Sequence, residues 1–460
     1  MFGNLLEPEI KELIESKNFV ALRDVFFDWP PADLAELIAD LPENEQVIVF
    51  RLLPHQTATD AFEYLELDAQ KNLLRAMGHE ETAKIINEMS PDDRTALLEE
   101  LPGNVVTQLL RALSPEERAV AQSLLNYPEG SVGRLMTPDF VAVHDDWTVQ
   151  EVLAHIRENG SDSETLNVIY VVDQRGLLID DVRIREFLLV PLTTTVREIR
   201  DEQFVALKVT ELENEAVDDF KKYDRTVLPV VDSEGRLVGI VTVDDVLDIA
   251  EQEATEDIQK LGGMEALDEP YDTIALPKMI KKRATWLIVL FLGEMLTATA
   301  MQGYNGEIEK AAVLAMFLPL IISSGGNSGS QATTLVIRAM AVGEVRLRDW
   351  LRVMRKEFTS GLFLGLILGA VGFVRIALWQ SLHIFDYGQY HWFVATTVGC
   401  ALVGVVLWGT LIGGMLPFLL RRFGLDPATS SAPFVATLVD VTGLLIYFNV
   451  ALFILRGTLL

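Results

Sequence analysis

The segment Leu425–Asn449, LDPATSSAPFVATLVDVTGLLIYFN, leads into an apolar stretch that continues to Leu455. Nearly every residue from Ser431 to Leu455 is apolar, which is long enough for a helix to cross about 30 Å of hydrocarbon. Asp440 lies in the middle of this stretch and is its only charged residue. A carboxylate at that depth costs at least about 2.5 kcal/mol, so it indicates a functional site. The favoured interpretation is a cation site in a pore; the alternative is an acid satisfied by a neighbouring helix.

The charge of the chain is divided between two unequal parts. Half of the 460 residues are hydrophobic, yet the formal net charge is −29. From Tyr271 onward there are 15 basic and 10 acidic residues, which leaves 23 basic and 57 acidic residues in the first 270. These counts predict an acidic soluble part joined to a near-neutral membrane part. The acidic part should repel nucleic acid and attract cations, and the single Cys400 excludes an internal disulfide and a cysteine-rich zinc site.

Residues 1–128 contain an internal repeat of constant length. The copies begin at Leu41, Leu65, Met89 and Leu113, and in each a turn or capping residue precedes acids and then apolar residues at helical spacing. Acids in a first turn suit the helix dipole, and the Ser-Pro pairs near the start of two copies are typical helix starts. The repeat predicts stacked helix pairs that form a small α-helical superhelix.

Residues 129–250 contain a duplicated α/β module. The segment Val168–Leu178, VIYVVDQRGLL, is echoed within Val227–Leu247, VLPVVDSEGRLVGIVTVDDVL. Apolar β-branched runs joined by an Asp/Gly turn predict a hairpin in each copy, and a helical segment precedes each hairpin. This arrangement resembles a tandem pair of CBS domains. The first copy departs from the second at Asp180 and Asp181, where a small residue and a strand are expected.

Half of the residues in the segment Asp244–Asp257, DDVLDIAEQEATED, are acidic. On a helix, Asp244, Asp248 and Glu251 share one face. Like charges at this spacing repel, so bound cations would stabilise such a face. We therefore favour cation binding here over the alternative of a solvated helix surface.

The basic residues of the loops predict how five apolar segments cross a membrane. A basic cluster at 278–283 precedes the first segment, and the loop 338–356 is rich in arginine. The loops 302–310 and 382–392 together hold one Lys and no Arg. The positive-inside rule therefore places the N-terminal half in the cytoplasm and the C-terminus outside, and the polar N-terminus does not resemble a signal peptide. The predicted spans are residues 284–301, 311–337, 358–381, 393–420 and 431–455.

Polar residues also occur inside the other predicted spans. The second span contains ISSGGNSGSQATT (Ile322–Thr334), in which small residues permit close helix approach and side-chain oxygens are plentiful. This run indicates either a pore wall or plain helix packing. Glu294 lies midway along the first span, where it either pairs within the bundle or contacts the permeation route; its role stays open.

The chain resembles the MgtE family of bacterial magnesium channels or transporters. The most specific motifs are PLIISSGGNSGSQ (Pro319–Gln331), MLPFLLRRFGLDPA (Met415–Ala428) and APFVATLVDVTGLLIYF (Ala432–Phe448). The resemblance implies a multidomain fold in which an α-helical superhelix, an α/β CBS-domain pair, a connecting helix and a polytopic α-helical membrane domain follow one another. The expected boundaries are 1–128 for the superhelix, 129–250 for the CBS pair, 251–280 for the connecting helix and 281–460 for the five-helix membrane domain.

The resemblance also implies a homodimer in the inner cell membrane, with a pore between the subunits lined by the second and fifth spans. Asp440 matches the pore acid of the family, and the carbonyl of Ala436, one turn earlier, could contact a water of the ion. This fits the physics of Mg²⁺, which dehydrates reluctantly and is usually held through one or two carboxylates with its waters kept.

The family is gated by cytosolic Mg²⁺, which closes the pore. Two sensor acids of the family fall on Asn214 and Ala96 here, which predicts fewer regulatory ions or a higher gating concentration. The resemblance further implies an adenine nucleotide such as ATP at the CBS pair, although Arg225 stands where an aromatic residue is expected beside it. The matching regulatory acids are Asp60, Asp92, Asp224, Asp245, Asp248, Glu253, Glu256 and Asp257.

Three other functions fit the sequence less well. Transport of Mn²⁺, Co²⁺ or Ni²⁺ is the main alternative, and oxygen ligands without His or Cys favour Mg²⁺ or Mn²⁺. An intramembrane protease would need a HExxH motif, which fails at Ala83, or a second aspartate on another span. An anion channel would need basic residues inside the second or fifth span. We expect a transporter, not an enzyme, with the lipid bilayer and a second copy of the chain as its partners and no nucleic acid.

Overall fold

The fold of the chain consists of two compact units, Met1–Glu251 and Gln252–Leu460. The computed structural model describes residues 9–14, 16, 18–26, 29–267, 271 and 274–459. Within these ranges the first unit holds a helical domain followed by two small sheets with their helices, and the second holds five long apolar helices.

The helical domain is built from short helices that begin at a constant spacing between Pro31 and Pro115. Two of these helices make one copy of the repeat, which confirms the predicted helix pairs. The first residue of each of the four copies is buried, at Leu41, Leu65, Met89 and Leu113. The helices are α1 (Phe19–Phe26), α2 (Pro31–Asp40), α3 (Glu43–Leu52), α4 (His55–Glu63), α5 (Leu67–Ala76), α6 (His79–Glu88), α7 (Pro91–Glu99), α8 (Gly103–Ala112) and α9 (Pro115–Leu125).

The duplicated module forms two three-stranded sheets of the same topology. In each sheet the first strand is parallel to the second, and the second and third form an antiparallel hairpin. The hairpin turns place Gly176 at φ +81° and Gly235 at φ +83°, a backbone conformation that favours glycine. The elements are α10 (Val132–Leu135), β1 (Ala142–His144), α11 (Val149–Asn159), β2 (Val168–Val172), β3 (Leu178–Arg183), α12 (Ile184–Leu189), α13 (Val196–Ile199), β4 (Leu207–Lys208), α14 (Glu213–Tyr223), β5 (Val227–Val231) and β6 (Leu237–Thr242).

The departure of the first copy from the second at Asp180 and Asp181 does not interrupt its hairpin. Strand β3 runs through both residues and pairs with β2. Asp180 is fully buried, and its carboxylate accepts hydrogen bonds from the backbone N–H groups of Asp201 and Glu202, both at 2.9 Å. A buried carboxylate is tolerated in a strand when backbone donors satisfy it.

The connecting helix, α15, spans Val243–Leu261 and differs from the 251–280 segment expected for it. It continues directly from strand β6, so its first turn contains Asp244 and Asp245. It ends at the Gly262-Gly263 pair, because Gly263 adopts φ +75° and leaves the helical conformation.

The second unit contains five helical segments long and apolar enough to cross a membrane, which confirms the predicted number within the described residues. They are span 1 (Leu276–Gly303), span 2 (Ala312–Ala341), span 3 (Leu347–Ser381), span 4 (His391–Arg422) and span 5 (Ala432–Leu455). The helices of these spans and of the segments between them are α16 (Leu276–Gly303), α17 (Asn305–Lys310), α18 (Ala312–Ala315), α19 (Leu318–Ala341), α20 (Trp350–Ser381), α21 (His391–Arg422) and α22 (Ala432–Leu455), with 3-10 turns at Leu347–Asp349 and Pro427–Thr429.

The membrane helices approach one another closely at glycines. Spans 3 and 4 meet along Gly361, Gly365 and Gly369, where an added Cβ would run into span 4. Span 4 also packs against spans 2 and 5, so it forms the centre of the bundle. Inside a membrane no hydrophobic driving force brings helices together, so their association depends on the close van der Waals packing that small residues allow.

Candidate metal sites

The predicted pore acid, Asp440, lies where span 5 crosses span 2. Span 2 has no side chain at Gly326, and a Cβ added there would lie 3.4 Å from Asp440 Oδ1 and 3.3 Å from Ala436 Cβ. The glycine thus brings the backbone of span 2 up to the carboxylate. Asp440 and Ala436 are both half-buried. Because Ala436 is helical, its carbonyl oxygen bonds within the helix and keeps a second lone pair for a water or ion.

Span 2 presents a polar face that the single chain leaves exposed. Ser323, Asn327, Gln331 and Thr334 are all exposed and recur at helical spacing. Ser330, beside this face, donates a hydrogen bond from Oγ to the carbonyl of Ala432 at 3.0 Å and so ties span 2 to span 5. A row of amides and hydroxyls at membrane depth faces lipid only at a cost, which favours the pore-wall interpretation over plain packing.

In the first unit, Asp92 of helix α7 and Asp245 of α15 lie close to each other and are at least half-buried. Asp92 is 8% exposed, and its Oδ1 has no hydrogen-bond partner among the described residues. Asp245 accepts a hydrogen bond from Thr242 Oγ1 at 2.8 Å. Burial raises the pKa of Asp92 to about 6 and that of Asp245 to about 8, and the charge of Asp92 adds to the rise at Asp245.

Further acids, which sequence reasoning does not select, extend this group. Burial, assisted by neighbouring carboxylates, raises the pKa of Asp93 to about 6 and of Glu63 to about 7. It also raises the pKa of Glu164 and Asp139, with Asp244 the main neighbouring charge at Glu164. We name this set the buried acidic group because it is centred on the buried Asp92, although its members Asp244 and Glu164 are exposed. The group consists of Asp92, Asp93, Asp244, Asp245, Glu63, Glu164 and Asp139.

Three other predicted regulatory acids lie around the buried acidic group or away from it. Asp60 accepts a hydrogen bond from Gln56 and is close to Glu63. Asp248 is exposed on the connecting helix, but partial removal of its carboxyl from water and the charge of Asp244 raise its pKa. Asp224 ends helix α14 in a left-handed conformation with φ +52° and points to no acid of the group in the described contacts.

The remaining predicted acids belong to the second unit. Glu256 and Asp426, in the loop before span 5, each lie 3.1 Å from the ammonium of Lys260. Burial raises the pKa of Asp257, and the charges of Asp426 and Glu253 raise it further. Asp426 escapes prediction because it follows an arginine-rich turn with no other acid nearby in sequence.

These two groups bring carboxylates together without the geometry of a closed metal site. Among the described residues, no three Asp, Glu, His or Cys side chains converge closely enough to hold an ion. The residue types nevertheless match hard cations, which prefer oxygen ligands and keep part of their water shell.

Comparison with known proteins covers nearly the whole chain. The family profile "Divalent cation transporter" matches residues 318–450, "MgtE intracellular N domain" matches 29–130 and "CBS domain" matches 132–189 and 179–251. The magnesium transporter MgtE of Thermus thermophilus is 39% identical over 98% of this chain and 99% of its own length. The chain belongs to the MgtE family.

Other members agree with this assignment. The magnesium transporter MgtE of Bacillus subtilis is 28% identical over 93% of each chain. The crystal structure of the cytosolic domain of the Mg²⁺ channel MgtE in complex with ATP covers 52% of this chain and 98% of its own, at 36% identity and a TM-score of 0.50. The soluble part of a magnesium transporter covers 55% and 99%, at 25% identity and a TM-score of 0.51. The MgtE fold of helical domain, CBS pair and membrane helices is thereby confirmed.

The CBS pair of this MgtE member contains a buried ion pair between its halves. Arg225 lies 3.3 Å from Asp181, whose side chain is 3% exposed. The fully buried phenol of Tyr170 lies close enough for both charges to act on it. At the equivalent positions of the opposite copy, the module has apolar Leu166 and Ile240. Arg225 stands at the position where the family resemblance predicts an aromatic residue beside a nucleotide.

Proposed function

We propose that the chain is a magnesium transporter of the inner cell membrane that cytosolic Mg²⁺ closes. The observation that carries the proposal is 39% identity, over nearly the full length, to a protein named as a magnesium transporter. The exposed polar face of span 2 beside Asp440 supports it independently, because that face is costly in lipid but suits an aqueous path.

In this proposal the ion passes Asp440 with its water shell largely intact. Two subunits place two Asp440 carboxylates on either side of the path, and together they balance the charge of one Mg²⁺ without stripping its waters. The carbonyl of Ala436 accepts a hydrogen bond from a bound water one turn away. The homodimer is carried over from the family, and the exposed polar face supports it because a second copy of the chain would cover that face.

The buried acidic group supplies the closing step. Without a cation its carboxylates repel, so either protons bind or the helical domain and CBS pair separate. With Mg²⁺ bound, the charges are neutralised and the elements are held together, which fixes the connecting helix and closes the pore. Regulatory residues carried over from the family are Asp60, Asp92, Asp224, Asp245, Asp248, Glu253, Glu256 and Asp257; to these we add Asp93, Glu63, Glu164 and Asp426.

The proposal also covers the orientation of the chain in the membrane, the boundaries of its domains and the nucleotide ligand of its CBS pair. The arginine-rich loops support a cytoplasmic N-terminal half and a C-terminus outside the cell. The domains follow the boundaries 1–128, 129–250, 251–280 and 281–460, with the connecting helix itself beginning earlier, at Val243. ATP is the predicted ligand of the CBS pair, and to bind it there the protein would have to rearrange the pair of Arg225 and Asp181.

Flux into liposomes that hold the purified protein tests both parts of the proposal. Mg²⁺ uptake is measured at low and high Mg²⁺ on the cytoplasmic face, with Mn²⁺, Co²⁺ and Ni²⁺ as competitors. We expect uptake by the wild type, none by Asp440→Ala, and normal uptake by the loop control Glu344→Gln. Equal uptake by Asp440→Ala would refute the pore assignment, and uptake that ignores cytoplasmic Mg²⁺ would refute the gating.

A further inference from the structure

Span 1 carries a carboxylate that the single chain leaves exposed at membrane depth. Glu294 lies near the middle of span 1, and the residues after it, Met295 and Leu296, are also exposed. A charged side chain facing the centre of a bilayer costs about 2.5–3.5 kcal/mol or more. Because exposure to lipid would cost this much free energy, we expect the carboxylate of Glu294 to face water, a counter-ion or another subunit.

The contacts of span 1 place Glu294 at the level of the pore acid. Spans 1 and 5 run in the same direction: Trp286 Nε1 donates to Ser431 Oγ at 3.3 Å, and further along Tyr304 stacks on Phe448 with ring centroids 4.7 Å apart. The partners differ by 144 or 145 in residue number. Residues 294–297 of span 1 therefore lie beside residues 438–441 of span 5, the turn that contains Asp440.

The two helices touch closely at this level. A Cβ added to Gly293 would lie 2.7 Å from Thr437 Cγ2, so the backbone of span 1 packs directly on span 5 one turn before Asp440. Glu294 follows this glycine, and its carboxylate is close enough for its charge to act on Asp440. Glu294 forms no ion pair with any basic residue in the described part of the chain.

A second polar group on span 1 is buried at the same level without a partner. Thr297 is 5% exposed, and its Oγ1 makes no hydrogen bond to any described residue. Thr299, two residues on, instead donates to the carbonyl of Met295 at 3.0 Å, as a threonine on a membrane helix commonly does. A buried hydroxyl without a partner forfeits about 1–3 kcal/mol, which a water of a bound ion would recover.

We propose that Glu294 and Thr297 of span 1 form, together with Asp440, a seat for a hydrated divalent cation. The inference rests on the proposed transport of Mg²⁺ and assigns span 1 to the ion path. Glu294 supplies a second negative charge, and Thr297 accepts a hydrogen bond from a water of the ion. The second carboxylate raises affinity for divalent over monovalent cations, because attraction grows with ion charge.

The dependence of flux on Mg²⁺ concentration tests the seat. In liposomes holding the full chain, we expect Glu294→Gln to raise the Mg²⁺ concentration for half-maximal flux about tenfold, the effect of losing one charge-assisted contact. Thr297→Val removes only a neutral hydrogen bond, and we expect a rise of about threefold. Glu294→Asp keeps the charge and should recover most of the affinity.

Two matched variants separate the seat from general effects of substitution. Glu357→Gln neutralises an acid on span 3, and Thr299→Val removes a hydroxyl already bonded to its own helix. Both should stay within about twofold of the wild type, below the change expected for one neutral hydrogen bond.

The outcomes distinguish the seat from the transport on which it rests. If the wild type carries Mg²⁺ and Asp440→Ala abolishes flux, but Glu294→Gln and Thr297→Val match the controls, the seat is overturned and the transport stands. If the wild type carries no Mg²⁺, or Asp440→Ala transports normally, both are overturned. If Glu294→Asp is as impaired as Glu294→Gln, the side chain acts through packing and not charge, and the seat is again refuted.

Discussion

Replacing Asp245 with Asn should stabilise the first unit when no cation is bound. Burial raises the pKa of Asp245 to about 8, with Asp92 the first of the neighbouring charges that add to it. The unfolded chain releases this proton near the ordinary value of 3.8. The contribution of Asp245 to stability is therefore complete below about pH 4 and is lost as the pH rises to about 8. Asparagine keeps the shape of the side chain without the charge.

The magnitude follows from the size of the shift. At pH 7 the unfolded carboxyl has been deprotonated over about three pH units, each about 1.4 kcal/mol, so Asp245 alone would lower stability by about 4 kcal/mol. The pKa of Asp92 is also raised, mainly by its own burial, so the free-energy cost of burying Asp92 remains in the variant. We expect Asp245→Asn to raise the free energy of unfolding by about 2 kcal/mol at pH 7, which is about 4–8 °C in Tm for a unit of this size.

Thermal unfolding of the full-length protein in detergent, followed by tryptophan fluorescence, measures this difference. In the presence of a chelator the variant should unfold at a higher temperature than the wild type, and the gap should shrink toward pH 5. Added Mg²⁺ should raise the Tm of the wild type more than that of the variant, because fewer charges remain to be neutralised. Asp40→Asn, an exposed surface control, should change neither. A variant with an equal or lower Tm, or with an undiminished response to Mg²⁺, would refute the reasoning.

Three further changes test other parts of the structure. Arg225→Leu leaves the carboxylate of Asp181 buried without its partner, so we expect a loss of about 3 kcal/mol by thermal unfolding, largely recovered when Asp181→Leu is added. Gly326→Val places methyl groups against Asp440, and we expect loss of Mg²⁺ flux while gel filtration shows an unchanged oligomeric state. Lys260→Met removes two ion pairs of a partly exposed side chain, so its cost should not exceed about 1 kcal/mol in the same unfolding assay.

Local patterns are sufficient to predict the architecture. The repeat predicts helix pairs because every copy begins with the same pattern of residues, as at Leu41 and Leu65. These first residues are buried in the structure. The hairpins follow from β-branched runs around Gly176 and Gly235. The burial of Asp180 within its strand escapes prediction, because backbone N–H groups of residues 201 and 202 satisfy the carboxylate, a contact that no local pattern reveals.

The candidate sites also contain some residues that local sequence patterns predict and others that only contacts between distant segments bring together. Asp440 can be selected from sequence alone, since a single charge within an apolar run is conspicuous. Glu164 and Asp93 belong to different domains, and their carboxylates affect each other only because the helical domain packs against the CBS pair. Thr297 looks like an ordinary residue of span 1, and only its burial without a partner distinguishes it. Such groups depend on contacts between distant segments, which spacing along the chain does not encode.

The acidic residues of the connecting helix are balanced by basic residues at one end of the helix only. Asp244 and Asp248 are one turn apart, and like charges at that spacing destabilise a helix. The helix is nevertheless continuous over 19 residues, about 28 Å, from the buried acidic group at its start to Lys260 near its end. At its last turn a lysine already balances Glu256 and Asp426, whereas no lysine or arginine forms an ion pair with Asp244 or Asp245 in the described part of the chain. The first turn is therefore where an added cation relieves the most repulsion, and we expect substitutions there to change the response to Mg²⁺ more than substitutions at the last turn.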